Sequence, residues 1–137
     1  MDESPLKERY MQLQMLDQQI KSAQQQVQML EQQLADLNGV LIALDDFKLY
    51  KKDTPLLVPL TSGIYIKALL QNPEEFTVNI GANVAVKKDV PSTKGLVAHQ
   101  IHEINQVQEQ MMADLQEMIS QAKNIQSELQ SIMKTNE

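Results

Sequence analysis

Cysteine and tryptophan are absent from this chain, and aromatic residues make up only 4% of its 137 positions. Without cysteine there is no disulfide and no thiolate metal site, which fits a reducing compartment. So few aromatic side chains cannot fill a large globular core. No run of roughly 18 apolar residues occurs, so nothing in the sequence reads as a membrane span. The opening Met1-Asp2-Glu3-Ser4-Pro5 lacks the basic start and apolar run of a secretory signal. Basic charge is scarce: 12 Lys and Arg stand against 18 Asp and Glu, a net charge of −6. That balance argues against phosphate-backbone binding as the main role. These absences leave one domain over residues 1–137, expected in the cytoplasm and away from both membrane and nucleic acid.

What the chain does have is an apolar stripe at heptad spacing, twice. The first places Leu13, Ile20, Val27, Leu34 and Leu41 at a, and Leu16, Ala23, Leu30, Leu37 and Leu44 at d. The second places Ile101, Gln108, Leu115, Ala122 and Leu129 at a, and Ile104, Met111, Met118, Ile125 and Ile132 at d. A 3-4 spacing held this long predicts coiled-coil helices. Ser4 suits an N-cap and Pro5 the first helical position, so the first helix is expected over residues 5–50. At ~1.5 Å per residue it would run roughly 65 Å. Asn38-Gly39 interrupts it, at a cost of about 1 kcal/mol for an interior glycine. The stripe continues through Leu41 and Leu44, which favours a weak spot, with a true break as the alternative.

Helical spacing is lost after Lys51-Lys52-Asp53-Thr54-Pro55, and residues 55–90 read as two consecutive β-hairpins. Leu56 to Leu60 form a first strand whose Pro59 requires an edge or a bulge. Thr61-Ser62-Gly63 turns into a second strand in which Ile64, Ile66, Ala68 and Leu70 share a face. Phe76, Val78 and Ile80 alternate with Thr77 and Asn79 in a third, and after Gly81-Ala82-Asn83 a short fourth carries Val84 and Val86. Ser92 or Thr93 is expected to cap the second helix, over residues 93–135. Helices of matched length suit an antiparallel hairpin. The tether spares charged e and g positions, and Gln12, Gln19, Gln26 and Gln33 stand at g. Gln108 either fixes the register or turns its amide to water.

Two open-edged hairpins are too little sheet to be stable alone. The helices, paired along their own seam, offer them little cover. The strands are therefore expected to pair with strands of other chains: an α+β fold in which a long antiparallel coiled-coil hairpin is joined by two β-hairpins that assemble.

Catalysis finds little footing. His102-Glu103-Ile104-Asn105-Gln106 begins like a zinc-protease helix but has Gln106 where the second histidine belongs. His99 and His102, at i and i+3, lack a third ligand. Asp45-Asp46 is explained by a polar helix end, and Gly81 by a hairpin turn. No catalytic residue, metal site or cofactor is expected. More telling is the surplus of apolar residues near the two termini, which an antiparallel hairpin brings together. Met11 and Met15 fall at f and c, away from the seam. Met112, Ile119 and Met133 fall at e, and Leu6 and Tyr10 add to them. Surplus apolar surface marks interaction sites, and methionine suits a surface that accepts varied partners. A fraying end or a wide seam is the plainer alternative.

The stretch Val58-Pro59-Leu60-Thr61-Ser62-Gly63-Ile64-Tyr65-Ile66, followed by Val78-Asn79-Ile80-Gly81, resembles the alpha class of prefoldin subunits. That class carries V-P-L-T-S-x-x-Y-V and then V-D-I-G-T-G-Y, and has two hairpins where the beta class has one. Here Asn79 replaces the acidic residue, and Ala82-Asn83-Val84-Ala85 replaces the Thr-Gly-Tyr-Tyr run, changes that bear on partner identity. The resemblance implies an ATP-independent holdase, a hexamer of two alpha and four beta subunits on a double β-barrel. It would grip non-native clients at the helix tips and pass them to a group II chaperonin. On that basis the client-binding residues are Leu6, Tyr10, Met11, Met15, Met118, Ile119, Ile125, Ile132 and Met133. The assembly residues are Val58, Leu60, Ile64, Ile66, Phe76, Val78, Ile80, Val84 and Val86. The rival is a structural or adaptor coiled coil that binds one folded partner.

Overall fold

The structure, a computed structural model, describes residues 4–135; Met1-Asp2-Glu3, read above for a secretory signal, lie outside them. The elements run α1 (Ser4–Asp46), a 3-10 turn (Phe47–Leu49), β1 (Pro55–Thr61), β2 (Ile64–Leu69), β3 (Glu75–Gly81), β4 (Val84–Asp89) and α2 (Val90–Thr135). The chain divides into two units, one built from the parts up to Leu34 and from Glu103 onward, the other from Ala35–His102.

Heptad spacing translates directly into burial. From Met11 to Asp46 every a and d residue of α1 is buried or half-buried, and every other residue is exposed. In α2 the same holds beyond Val97 for all ten a and d positions, with Ile119 half-buried beside them. Leu34, Ala122, Ile125 and Leu129 are the best-buried apolar residues of the first unit; Leu44, Val90 and Val97 are those of the second. Three contacts fix the helices of the first unit antiparallel. Arg9 Nε meets Glu128 Oε2 at 3.1 Å, the Tyr10 hydroxyl donates to Met133 Sδ at 3.8 Å, and Gln108 Nε2 donates to Glu31 Oε2 at 2.7 Å. Gln108 thus reaches a partner across the seam, which ties its heptad to that of Glu31. The stripe also extends one heptad toward the N-terminus, with Leu6 at a. Arg9 takes the next d site, its charge half-buried but paired.

Asn38-Gly39 does not break α1, which runs unbroken through Gly39 to Asp46. A Cβ on Gly39 would meet nothing within 4 Å. Gly39→Ala should therefore stabilise the fold by about 1 kcal/mol, by helix propensity and a less disordered unfolded chain. A urea midpoint that fails to rise would contradict this.

In the second unit Phe47 stacks edge-on with Tyr50 at 5.1 Å and with Phe76 of β3 at 5.4 Å, joining the end of α1 to the second hairpin. The two hairpins are separate two-stranded antiparallel sheets. Pro59 is accommodated as expected, because the register of β1 against β2 shifts between Pro59 and Thr61. The second turn has positive φ at both Ala82 (50°) and Asn83 (61°), the twist that matches a two-residue hairpin.

The cap of α2 is neither Ser92 nor Thr93 but Asp89, the last residue of β4. Its Oδ1 accepts from Ser92 N–H at 2.8 Å, and its carbonyl accepts from Thr93 Oγ1 at 2.7 Å. Val90 then opens the helix, and Pro91 falls in the first turn, where a missing N–H is tolerated. Hydrogen bonds from Ser92 hold the Asp89 carboxyl below the ordinary carboxylate range. The Lys94 ammonium, joined to Asp45 across the helix pair, does the same for Asp45. Both groups thus give up their protons more readily folded than unfolded. Their stabilisation is complete above the unfolded carboxylate range and is lost as pH falls through the folded values. The thermal midpoint should drop with acidification in that window, and Asp45→Asn with Asp89→Asn should flatten the drop. An unchanged pH slope would remove these carboxyls as its source.

Candidate functional site

Two surfaces carry the residues that the sequence singles out, one in each unit. The first is the pair of hairpins. Cross-strand pairs share a face, so Val58↔Ile66 and Leu56↔Ala68 lie on one side of the first sheet. Leu57↔Lys67, Pro59↔Tyr65 and Pro55↔Leu69 lie on the other. Both sides are apolar. Val58, Leu60, Ile64 and Ile66 are exposed, and on the opposite side Leu57 and Leu69 are 66% and 64% exposed, with Tyr65 beside them. Sequence alternation picks out the first side and misses the second. A two-stranded sheet this apolar on both sides is marginal in water on its own, and its exposed patches mark interaction surface.

The edges of that sheet are unequal. Leu70 N–H donates to Thr54 O at 3.0 Å, so Thr54 points into the ladder, and alternation turns Pro55, Leu57 and Pro59 outward. Two of these three are prolines without an N–H, which disarms the outer edge of β1. On the outer edge of β2, Tyr65, Lys67 and Leu69 all keep their donors. An added strand is therefore accepted better beside β2.

The second hairpin is one-sided. Phe76, Val78, Val86 and Lys88 share a half-buried face, where Phe76 meets Phe47. Glu75, Thr77, Asn79, Ala85 and Lys87 share the other, which is exposed. Ile80 and Val84, beside the turn, are exposed. Of the nine expected assembly residues, Phe76, Val78 and Val86 are thus partly used within the chain, and the other six present free apolar surface.

The second surface lies on the paired helices of the first unit. Tyr10, Met11, Met15 and Met133 are exposed, Met11 to 62%. Leu6, Met118, Ile119 and Ile132 are half-buried. Ile125 is only 8% exposed, so in this state its side chain closes the seam and offers little surface. The contact of Tyr10 with Met133 brings the first turns of α1 and the last turns of α2 to one place. Beside it Pro5, Arg9, Ser127, Glu128, Ser131 and Ile132 line an open groove. The apolar surplus is not confined to this end. Met29, Val107 and Met112 are exposed further along the same unit, and Val40 and Ile42 in the other.

Among the described residues no group of three or more His, Cys, Asp or Glu side chains is placed to hold a metal ion. No helix there is long and apolar enough to cross a membrane.

Comparison with known proteins agrees with this layout. The family model for prefoldin subunits matches residues 16–135. The chain is 28% identical over 127 residues to prefoldin subunit alpha of Archaeoglobus fulgidus, spanning 93% of each. It is 26% identical over 96 residues to prefoldin subunit alpha of Thermofilum pendens, 70% of this chain and 74% of the relative. Its fold is similar to that of a chain in the cryo-EM structure of filamentous PFD from Methanocaldococcus jannaschii. The TM-score is 0.76 at 15% identity, covering 85% of this chain and 97% of that one.

Proposed function

This chain belongs to the prefoldin family, whose function is of the chaperone type, and from that premise we propose that it is the alpha-type subunit of an ATP-independent holdase. The hairpins join it to beta-type prefoldin subunits, two alpha with four beta. The ends of the paired helices capture non-native proteins, which then pass to a group II chaperonin in the cytoplasm. No cofactor takes part, and neither nucleic acid nor membrane is a partner.

The observation that carries this reading is exposed apolar surface in two places of different character. On the hairpins it is strand-borne and rich in β-branched side chains, suited to permanent pairing with other strands. At the Tyr10–Met133 end it is methionine-rich, and the flexible thioether side chains suit weak contact with unlike sequences. Weak contacts suffice, because an assembly presents several such ends to one client and raises their effective concentration. Capture then competes with aggregation and needs no nucleotide. Release follows when another binder takes the client.

The test is suppression of aggregation of several unrelated denatured proteins by the assembled complex, with and without the exposed residues at that end. An adaptor for one folded partner would protect none of them.

A further inference from the structure

Charge is unevenly spread along this chain. It carries −6 overall, yet residues 47–94 hold seven lysines against four carboxylates, Asp53, Glu74, Glu75 and Asp89. Lys48 and Lys94 are already held by Asp45. Of the rest, Lys52 and Lys87 come together in one polar cleft, lined also by Gln71, Asn72, Pro73 and Glu75.

The walls of this cleft are fixed by local hydrogen bonds. In the turn that carries Lys52, Thr54 Oγ1 donates to Lys51 O at 2.6 Å and accepts from Lys51 N–H at 3.2 Å. Asp53, at a positive φ of 69°, donates its N–H to Leu70 O at 2.7 Å. Opposite, Asn72 Oδ1 accepts from Glu74 N–H at 3.0 Å. Lys87 stands on the exposed face of β4, its side chain 77% exposed and 3.7 Å from Glu75. So open an ion pair is weak and exchangeable.

We infer that this cleft docks an acidic segment of a partner protein, whose carboxylates meet Lys52 and displace Glu75 from Lys87. Nucleic acid fits less well. Its unbroken phosphate charge would have to pass Glu74 and Glu75, and none of the lining residues is aromatic to stack a base. Spaced carboxylates can address the two amines one at a time. Glu75 acts as the internal competitor, and this gives the inference its sharpest consequence: removing a negative charge from the cleft improves binding.

The experiment is a titration of fluorescein-labelled hexaglutamate with the full chain in its assembled form, followed by fluorescence anisotropy. The wild type binds, and more weakly at raised salt. Lys52→Ala with Lys87→Ala weakens binding roughly five- to tenfold, and Glu75→Gln tightens it about two- to threefold. These are surface positions, and the gain expected of Glu75→Gln cannot be produced by misfolding. No binding by the wild type, wild-type affinity in the double lysine variant, or no gain in Glu75→Gln would each overturn the inference. So would tighter binding of an oligothymidylate than of the peptide.

Discussion

Glutamate in place of Ile66 is expected to leave this chain as a lone subunit, unable to join an assembly. Ile66 sits opposite Val58 at the middle of the first hairpin, on a face shared with Leu56 and Ala68. It remains exposed because its own chain supplies nothing to cover it. The neighbouring outer edge of β2 keeps its hydrogen-bond donors, so an added strand would enclose this residue. A carboxylate enclosed there without a partner costs several kcal/mol. In association this is on the order of a hundredfold or more. Native mass spectrometry of the co-expressed subunits reads the result directly. Thr77→Glu is the control: it adds the same charge on the exposed face of β3, opposite Lys87, and should leave assembly unchanged. If Ile66→Glu assembles as the wild type does, this side of the first hairpin is not an interface.

The second large effect concerns client capture. Replacing Tyr10, Met11, Met15 and Met133 together by serine should abolish most protection of denatured proteins and leave the assembly intact. All four are exposed, so the seam loses little. Each half-exposed apolar side chain can contribute about 1 kcal/mol on becoming covered. Four of them at one end amount to a loss of up to roughly a thousandfold at a single contact, multiplied when several ends engage one client. Removing residues 1–12 and 126–137 should go further and abolish protection, but it also strips Leu129 and Ile132 from the seam. The serine variant is therefore the cleaner comparison. Ile125→Ser supplies the contrast. That side chain is buried, so the substitution should lower the melting temperature instead of sparing it. Full aggregation suppression by the four-serine variant would sink the proposal that clients bind here.

The helices were legible in the sequence because their partner is in the same chain. Each apolar residue at a or d has its counterpart some way along, and the stripe and the buried face coincide through every heptad. Arg9 escaped notice because a charged residue at d reads as the end of a seam, whereas here Glu128 supplies the missing half. The cap at Asp89 was hidden for a different reason. Strand and helix meet there with no loop between them, so Ser92 and Thr93 looked like the first capping residues after the strand. The hairpins were the least legible. Period-two alternation finds one apolar side, but Leu57, Tyr65 and Leu69 occupy the positions that alternation assigns to water. Alternation alone does not reveal that the opposite side is apolar and exposed as well. Which edge is open became visible only once the ladder fixed the direction in which Pro55 and Pro59 face.

The antiparallel seam also sets a timetable. Tyr10 and Met133, which touch in the folded chain, are 123 positions apart in sequence. Each hairpin, by contrast, closes on itself across a two-residue turn. During synthesis the whole stripe of α1 leaves the ribosome before any of α2 exists. At ordinary elongation rates it stays uncovered for on the order of ten seconds. Each hairpin can close within microseconds of emerging, but by itself it is only marginally stable. The nascent subunit is thus a sticky, unpaired helix followed by hairpins that nothing yet covers, the kind of chain that aggregates. A member of a chaperone family passes through that hazard each time it is made.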